Sequence, residues 1–176
     1  MFVSEQFDIV PDITVIGKAL GGSMLPIAAM IAHLELNILS TQALDHYTHE
    51  QNPITTRAAL TTIAIIEKEN LFENARVVGL HALERLNEMK ERHPVIGNVT
   101  GLGLFIGIDL VSESKDKTPA SNIADRVMYW CVNNCLNFKT TMGNILTLNP
   151  PLIVTIDQMD QALNIIEEAI IVETSE

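Results

Sequence analysis

Of all the residues in this 176-residue sequence, Lys18 is the one whose flanking sequence most strongly suggests covalent chemistry. It follows the apolar run Ile13–Ile16 and a glycine, and it precedes the segment Ala-Leu-Gly-Gly. A lysine desolvated by apolar neighbours loses its proton more readily, so its amine can attack a carbonyl group and form a Schiff base. The glycines let the backbone approach a bulky ligand. The alternative is an ordinary lysine at the end of a strand. A P-loop is excluded, because the loop lacks the spacing and the hydroxyl residue of that motif.

The second group of candidate residues lies in a polar segment, residues 46–53, which ends in Asn-Pro and predicts a loop that leads into a helix. His49 could contact a substrate there, and the alternative is a histidine that faces solvent. The glycines at 101, 103 and 107 resemble a dinucleotide-binding loop only loosely. Because apolar residues alternate with them, we interpret them as sites of close packing in a sheet.

The elements that must position these residues follow from hydrophobic periodicity. We predict strands at 13–16 and 26–32, a largely buried helix at 54–70, and a helix at 74–92. A strand with one glycine-rich face is predicted at 102–110, followed by a helix at 119–134 and a strand at 145–148. A capping box, Thr155 to Gln158, begins the last helix. The expected apolar stripes are Val77, Leu80, Leu83 (or Val78), Leu86 and Met89; Ile123, Val127 and Cys131; and Met159, Leu163, Ile166 and Ile170.

Composition limits the classes of function. The chain is 47% hydrophobic and 19% charged, which is typical of a globular protein. Its net charge of −11 argues against binding to nucleic acid or to an anionic membrane surface. Cys131 and Cys135 have a spacing that suits neither a disulfide framework nor a zinc site, so we assign no metal ligand. We expect reduced thiols in a cytoplasmic protein.

Four segments together resemble the class III aminotransferases, a family that depends on pyridoxal 5'-phosphate (PLP). They are residues 7–22 (FDIVPDITVIGKALGG) with 26–29 (PIAA), residues 47–53 (YTHEQNP), residues 96–104 (IGNVTGLGL) and residues 143–152 (GNILTLNPPL). They occur in the order of the family, and the resemblance covers essentially the whole chain. It implies an α/β fold, in which the end of a PLP fold-type-I large domain (residues 1–72) is followed by a small α+β C-terminal domain (residues 73–176).

The resemblance also implies roles for individual residues. Lys18 corresponds to the lysine that binds PLP covalently and then moves protons at the substrate carbon. Thr48 corresponds to a threonine that hydrogen-bonds the cofactor phosphate in the site of the neighbouring subunit, which implies a homodimer. The alternative for Thr48 is a loop hydroxyl that caps nearby backbone.

The sequence departs from the family pattern at two threonines. Many members have an arginine in place of Thr147, where it binds the α-carboxylate of the substrate, and a threonine cannot supply that bidentate, charge-assisted pair. Thr100 also stands where many members have arginine, and we assign no role to that position. Thr147 is therefore a candidate substrate-binding residue. His49, in the polar segment described above, is the other candidate.

The phosphate-binding loop, the stacking aromatic residue and the aspartate that pairs with the pyridine nitrogen all lie upstream in the family. In addition, the first seventy-five residues hold too few strands to close a core. We therefore expect a C-terminal portion that lacks the N-terminal half and is inactive by itself. The expected reaction is transamination from an amine or amino acid to a keto acid. The alternatives are a PLP-dependent lyase or decarboxylase, acting for example on an amino-phosphonate, and an inert or partner-binding remnant.

Overall fold

The computed structural model describes residues 2–39, 41–42, 48–50, 52–112 and 117–175. The chain divides into two compact units, Met1–Asn70 and Leu71–Glu176. This division lies close to the boundary expected between residues 72 and 73, while the assignment of the units to a large and a small domain stays a prediction. Within the described ranges, no helix combines the length and the apolar character that a bilayer crossing requires.

The first unit contains one strand pair and one helix. Strand β1 (Ile13–Ile16) pairs with β2 (Ala29–Ala32) in antiparallel orientation, with Ile13 opposite Ala32. Helix α1 (Pro53–Lys68) begins after Asn52, whose side chain accepts a hydrogen bond of 2.9 Å from the amide of Ile54. The predicted strand at 13–16 and the helix at 54–70 are confirmed, whereas only the end of the run 26–32 forms a strand.

The expected burial of α1 is wrong for the described residues of this unit. Ala59 is the only buried residue of the helix, while Ile54 and Leu60 are 67% and 57% exposed. The apolar pattern of α1 indicates which side chains favour burial. One strand pair gives those side chains too little surface to pack against, so the pattern cannot be satisfied within this unit.

The second unit packs three helices against one face of an antiparallel sheet. Its elements are α2 (Leu71–Arg92), β3 (Ile96–Leu102), β4 (Phe105–Leu110), α3 (Ser121–Asn133), β5 (Lys139–Thr141), β6 (Ile145–Leu148) and α4 (Ile156–Thr174). The strand order is β3-β4-β6-β5. The core contains alternate residues of the central strands, such as Ile106, Ile108 and Leu146, together with residues of all three helices, such as Leu86, Val127 and Leu163.

The predicted strand at 102–110 is confirmed over Phe105–Leu110, but it does not continue back to Leu102, because the chain turns at Gly103 and Leu104 and separates β3 from β4. Gly103 has a φ of +56°, and Leu102 pairs with Phe105 across the turn. Leu104 lies in the turn but is buried, so the apolar alternation continues through it and conceals the break. The close approach expected at these glycines is present, since a Cβ atom on Gly79 of α2 would lie 2.2 Å from the carbonyl oxygen of Gly103.

The helical stripes are confirmed in part. Val78 rather than Val77 faces the core in α2, and Leu80 is 49% exposed, while Leu86 and Met89 are buried as predicted. All four stripe residues of α4 are buried, and its capping box is formed. Helix α3 begins at Ser121 rather than Pro119, because Pro119 lies in a β-bridge with Val111.

Ionic contacts join α2 to α4 at the surface. His81 Nε2 lies 2.7 Å from Asp160 Oδ1, and Arg85 Nη1 donates to the same oxygen at 2.9 Å. The hydrogen bond with His81, followed by that with Arg85, holds the pKa of Asp160 below its usual value. In α3, Cys131 is a buried free thiol, and its burial raises its pKa to about 12, so it is an unreactive packing residue.

Candidate active site

The backbone at Lys18 adopts a left-handed conformation directly after β1. Its φ is +52°, which residues other than glycine and asparagine rarely adopt. Lys18 begins a short 3-10 turn that ends at Gly21. The amide of Leu20 donates to the carbonyl of Gly17 at 3.1 Å, and the amide of Gly22 donates to that of Ala19 at 2.9 Å. These hydrogen bonds, rather than local preference, hold Lys18 in its conformation, and such constraint is common at functional sites.

Two glycines let α1 and the following chain pack closely around this turn. A Cβ atom on Gly21 would lie 3.1 Å from Ile27 Cγ2. Gly22 has a φ of +70°, and a Cβ atom there would lie 3.2 Å from Thr62 Oγ1 of α1. The Thr62 hydroxyl also donates to the carbonyl of Ala58 at 2.9 Å. Helix α1 therefore supports the turn that presents Lys18.

Lys18 is exposed, so the desolvation by apolar neighbours that the sequence predicts is not found within the described residues. The flanking strand presents alternating, half-exposed side chains instead of a closed apolar wall. No ion pair to Lys18 is present in the described part of the chain. An accessible primary amine that is flanked by glycines fits a bulky ligand with an aldehyde group, which is the fit that a PLP-binding lysine requires.

Thr48 and His49 lie in a turn at residues 48–50, and both side chains are exposed. Tyr47 and Gln51 of the same predicted motif lie outside the described residues. In the described part of the chain, no hydrogen bond or ion pair joins Lys18 to Thr48 or to His49. The proposed roles of these two side chains therefore stay predictions.

Thr147 lies in β6 of the second unit and is 5% exposed. Its Oγ1 lies 2.7 Å from Thr141 Oγ1 of β5. The residues beside it in the sheet form a cross-strand series, which we call the threonine row: Thr100, Gly107, Thr147 and Lys139, on β3, β4, β6 and β5. The row lies on the face opposite the core, because its residues alternate with the buried residues of the same strands.

The threonine row brings together both positions at which the sequence departs from the family's arginines. Thr100 and Thr147 flank Gly107, and a Cβ atom on Gly107 would lie 3.4 Å from Thr100 Oγ1. The row offers hydroxyl groups and one ammonium group, without a guanidinium group. Its chemistry therefore differs from the bidentate carboxylate recognition that arginine provides.

Sequence reasoning missed Lys139 and Thr141 as members of this surface. Strand β5 is only three residues long, which is too short for a period-two pattern to be recognised. The consecutive threonines at 140 and 141 before Gly143 are a weak strand signal that could have indicated it.

The comparisons with known proteins agree with this architecture. The aminotransferase class-III family model matches residues 1–170. The chain belongs to this family. Its fold is the mixed α/β fold of the PLP fold-type-I aminotransferases, to which it corresponds as a C-terminal portion.

The similar curated proteins catalyse different reactions. A (R)-1-hydroxy-2-aminoethylphosphonate ammonia-lyase from Vibrio splendidus is 44% identical over 169 residues, which cover 96% of this chain and 35% of the relative. An isoleucine 2-epimerase from Lentilactobacillus buchneri is 39% identical over 171 residues, which cover 96% of this chain and 38% of the relative. The chain thus spans little more than a third of the length of these relatives, and family membership does not determine the reaction.

A solved structure agrees over nearly the same range. The amine transaminase from an uncultivated Pseudomonas species, in its PLP-bound internal aldimine form, superposes with a TM-score of 0.87 at 29% identity. The match covers 95% of this chain and 40% of the transaminase chain.

Proposed function

We propose that Lys18 is the lysine that binds PLP covalently in a PLP-dependent enzyme acting on primary amines. Family membership, the constrained turn and the accessible amine support this role. When bound, PLP withdraws electrons from the carbon that bears the substrate nitrogen. The Lys18 amine would take the proton from that carbon as a positioned general base, and it would later donate a proton as a general acid.

For the reaction, we propose the release of ammonia from an amine that lacks an α-carboxylate and carries a hydroxyl group on the neighbouring carbon, with a hydroxylated amino-phosphonate as the leading substrate class. The hydroxyl group leaves as water, and water then hydrolyses the resulting imine to ammonia and an aldehyde, so that the reaction needs no oxidant. The observation that carries this proposal is the threonine row, in which both expected arginine positions hold hydroxyl groups. An enzyme that does not bind an α-carboxylate does not need the guanidinium group of the arginine that many family members have in place of Thr147. The 44% identity with the aminoethylphosphonate ammonia-lyase supports the same choice.

Transamination between an amine or amino acid and a keto acid is the second candidate. The family model and the likeness to the Pseudomonas amine transaminase favour it. An amine donor without a carboxylate would also be compatible with Thr147. The two candidates differ in the fate of the nitrogen, which is released as ammonia in one and passes to a keto acid in the other.

The reaction can be identified by an assay with PLP on the whole protein, which means the full-length protein that includes this chain and any residues that precede it. We expect ammonia release from 1-hydroxy-2-aminoethylphosphonate without any keto acid, and at least ~10-fold weaker use of α-amino acids, which corresponds to the loss of a hydrogen-bonded charge pair. The Thr147→Arg variant should shift preference toward the α-amino acid, and Thr118→Arg, at an exposed threonine outside the sheet, is the matched control. Turnover that requires a keto acid, or a strong wild-type preference for α-amino acids, would contradict the lyase proposal.

We further propose that the active protein is a homodimer in the cytoplasm, in which Thr48 hydrogen-bonds the cofactor phosphate of the neighbouring subunit. The exposed turn at 48–50 and the free thiols of Cys131 and Cys135 are compatible with this arrangement. Thr48→Ala should weaken PLP retention by ~1.5–3 kcal/mol, the contribution of a hydrogen bond to a charged group. An active monomer by sedimentation, with unchanged PLP affinity in this variant, would contradict the proposal.

A further inference from the structure

Lys139 is the only lysine or arginine within the four strands of the sheet in Leu71–Glu176. It stands directly opposite Thr147 in the register of β5 and β6. Paired residues of an antiparallel sheet project from the same face with Cβ atoms about 5 Å apart. Lys139 therefore extends the threonine row by one strand and adds a positive charge at its end.

The hydroxyl groups of Thr141 and Thr147, beside Lys139, hydrogen-bond to each other and leave one hydroxyl proton available. Thr141 is two residues from Lys139 on β5, so it shares the same face, and its Oγ1 lies 2.7 Å from Thr147 Oγ1. A mutual hydrogen bond uses one of the two hydroxyl protons. When Thr147 donates, the partly exposed Thr141 keeps its own proton for an outside acceptor. An ammonium group and a hydroxyl donor thus lie side by side on this face.

The charges around Lys139 leave it available for an anion. Asp109 is the only carboxylate within the four strands, and it lies two strands away, at about 10 Å by the strand spacing. Its Oδ1 accepts a hydrogen bond from Asn144 Nδ2. Across the described ranges, no ion pair to Lys139 is present, and its side chain is exposed.

We propose that Lys139, with the hydroxyl pair of Thr141 and Thr147, binds the anionic group of the substrate. The proposal rests on the proposed function, which puts Thr147 at the substrate. Because Lys139 lies one strand beyond Thr147, it suits an anion displaced from the position of an α-carboxylate. Lysine recognises a phosphonate as a point charge, without the planar fork that arginine offers to a carboxylate. Lys139 is thereby a specificity-determining residue that selects a phosphonate over an α-carboxylate.

The test measures anion binding separately from turnover. Methylphosphonate and acetate are each titrated calorimetrically into the whole protein, with PLP present throughout. We expect Lys139→Gln to weaken methylphosphonate binding by about ten-fold or more, the loss of one charge-assisted contact. Lys139→Arg should retain most of the binding, and acetate should bind more weakly than methylphosphonate to the wild type. Lys90→Gln is the matched control, because Lys90 lies on α2, which packs against the opposite face of the sheet.

Kinetics then separate this inference from the proposed reaction. With an amino-phosphonate substrate, Lys139→Gln should raise KM by about ten-fold with little change in kcat, while KM for an amine without an anionic group, such as ethanolamine, stays unchanged. Absence of methylphosphonate binding to the wild type, or an equal loss in Lys90→Gln, overturns the inference even if ammonia is released. Loss of methylphosphonate binding confined to Lys139→Gln supports it, even if the reaction proves to be transamination.

Discussion

The two units of the chain differ in what they contribute. In the described residues up to Asn70, only Gly21 and Ala59 are buried, and this unit holds Lys18, the residue with the strongest chemical signal. In Leu71–Glu176, all three helices and the sheet share one core. The unit with the clearest motif therefore buries too little apolar surface to be stable by itself, whereas the unit with few candidate catalytic residues has the packing to fold.

The largest effect that this comparison predicts concerns the two units made as separate polypeptides. Residues 71–176 should unfold cooperatively with a midpoint of ~45–65 °C, the usual range for small domains. Residues 1–70 should show no cooperative transition and should self-associate through exposed apolar surface, for example Val10 at 82% and Met24 at 86% exposure. Circular dichroism during heating, together with sedimentation, measures both. A cooperative, monomeric 1–70 beside an unstructured 71–176 would reverse the comparison.

A smaller effect is expected where α2 meets the β3–β4 turn. Replacing a glycine within a helix by alanine usually stabilises the helix by up to ~1 kcal/mol. Gly79→Ala should instead destabilise residues 71–176 by ~1–3 kcal/mol, because the added Cβ atom would lie 2.2 Å from the carbonyl oxygen of Gly103. Urea unfolding gives the change. Glu88→Ala, at an exposed position of the same helix, is the control and should shift stability by less than ~0.5 kcal/mol. A Gly79→Ala protein as stable as the wild type would contradict the close packing.

The sequence predicts elements well where local chemistry is sufficient. The capping box at Thr155 and the α4 stripe are correct because both depend on residues within two turns of one helix. The β3–β4 hairpin was missed because Leu104 is buried although it lies in the turn, so no break interrupts the apolar alternation. The burial of α1 was overestimated because burial depends on neighbouring elements that a periodic pattern does not reveal.

The candidate site shows the same limit. Lys18 could be selected from its motif, but its positive φ and its exposure depend on the turn that follows it. Thr100 and Thr147 could each be recognised as departures from the family, yet only strand register shows that they flank Gly107. The same register places Lys139 beside Thr147, and β5 is too short to be predicted from its three residues.

The most direct test of the central claim is chemical labelling of the lysine that holds the cofactor. The whole protein is incubated with PLP, its visible absorption band is recorded, and borohydride is added to fix the cofactor before peptide mapping by mass spectrometry. We predict one stoichiometric label, on the peptide that contains Lys18, and no label in Lys18→Ala or Lys18→Arg, because arginine is not a usable amine nucleophile. Lys68→Ala, at an exposed lysine of α1, should label normally. A stoichiometric label on Lys68 or another lysine, with Lys18 unmodified, would contradict the account.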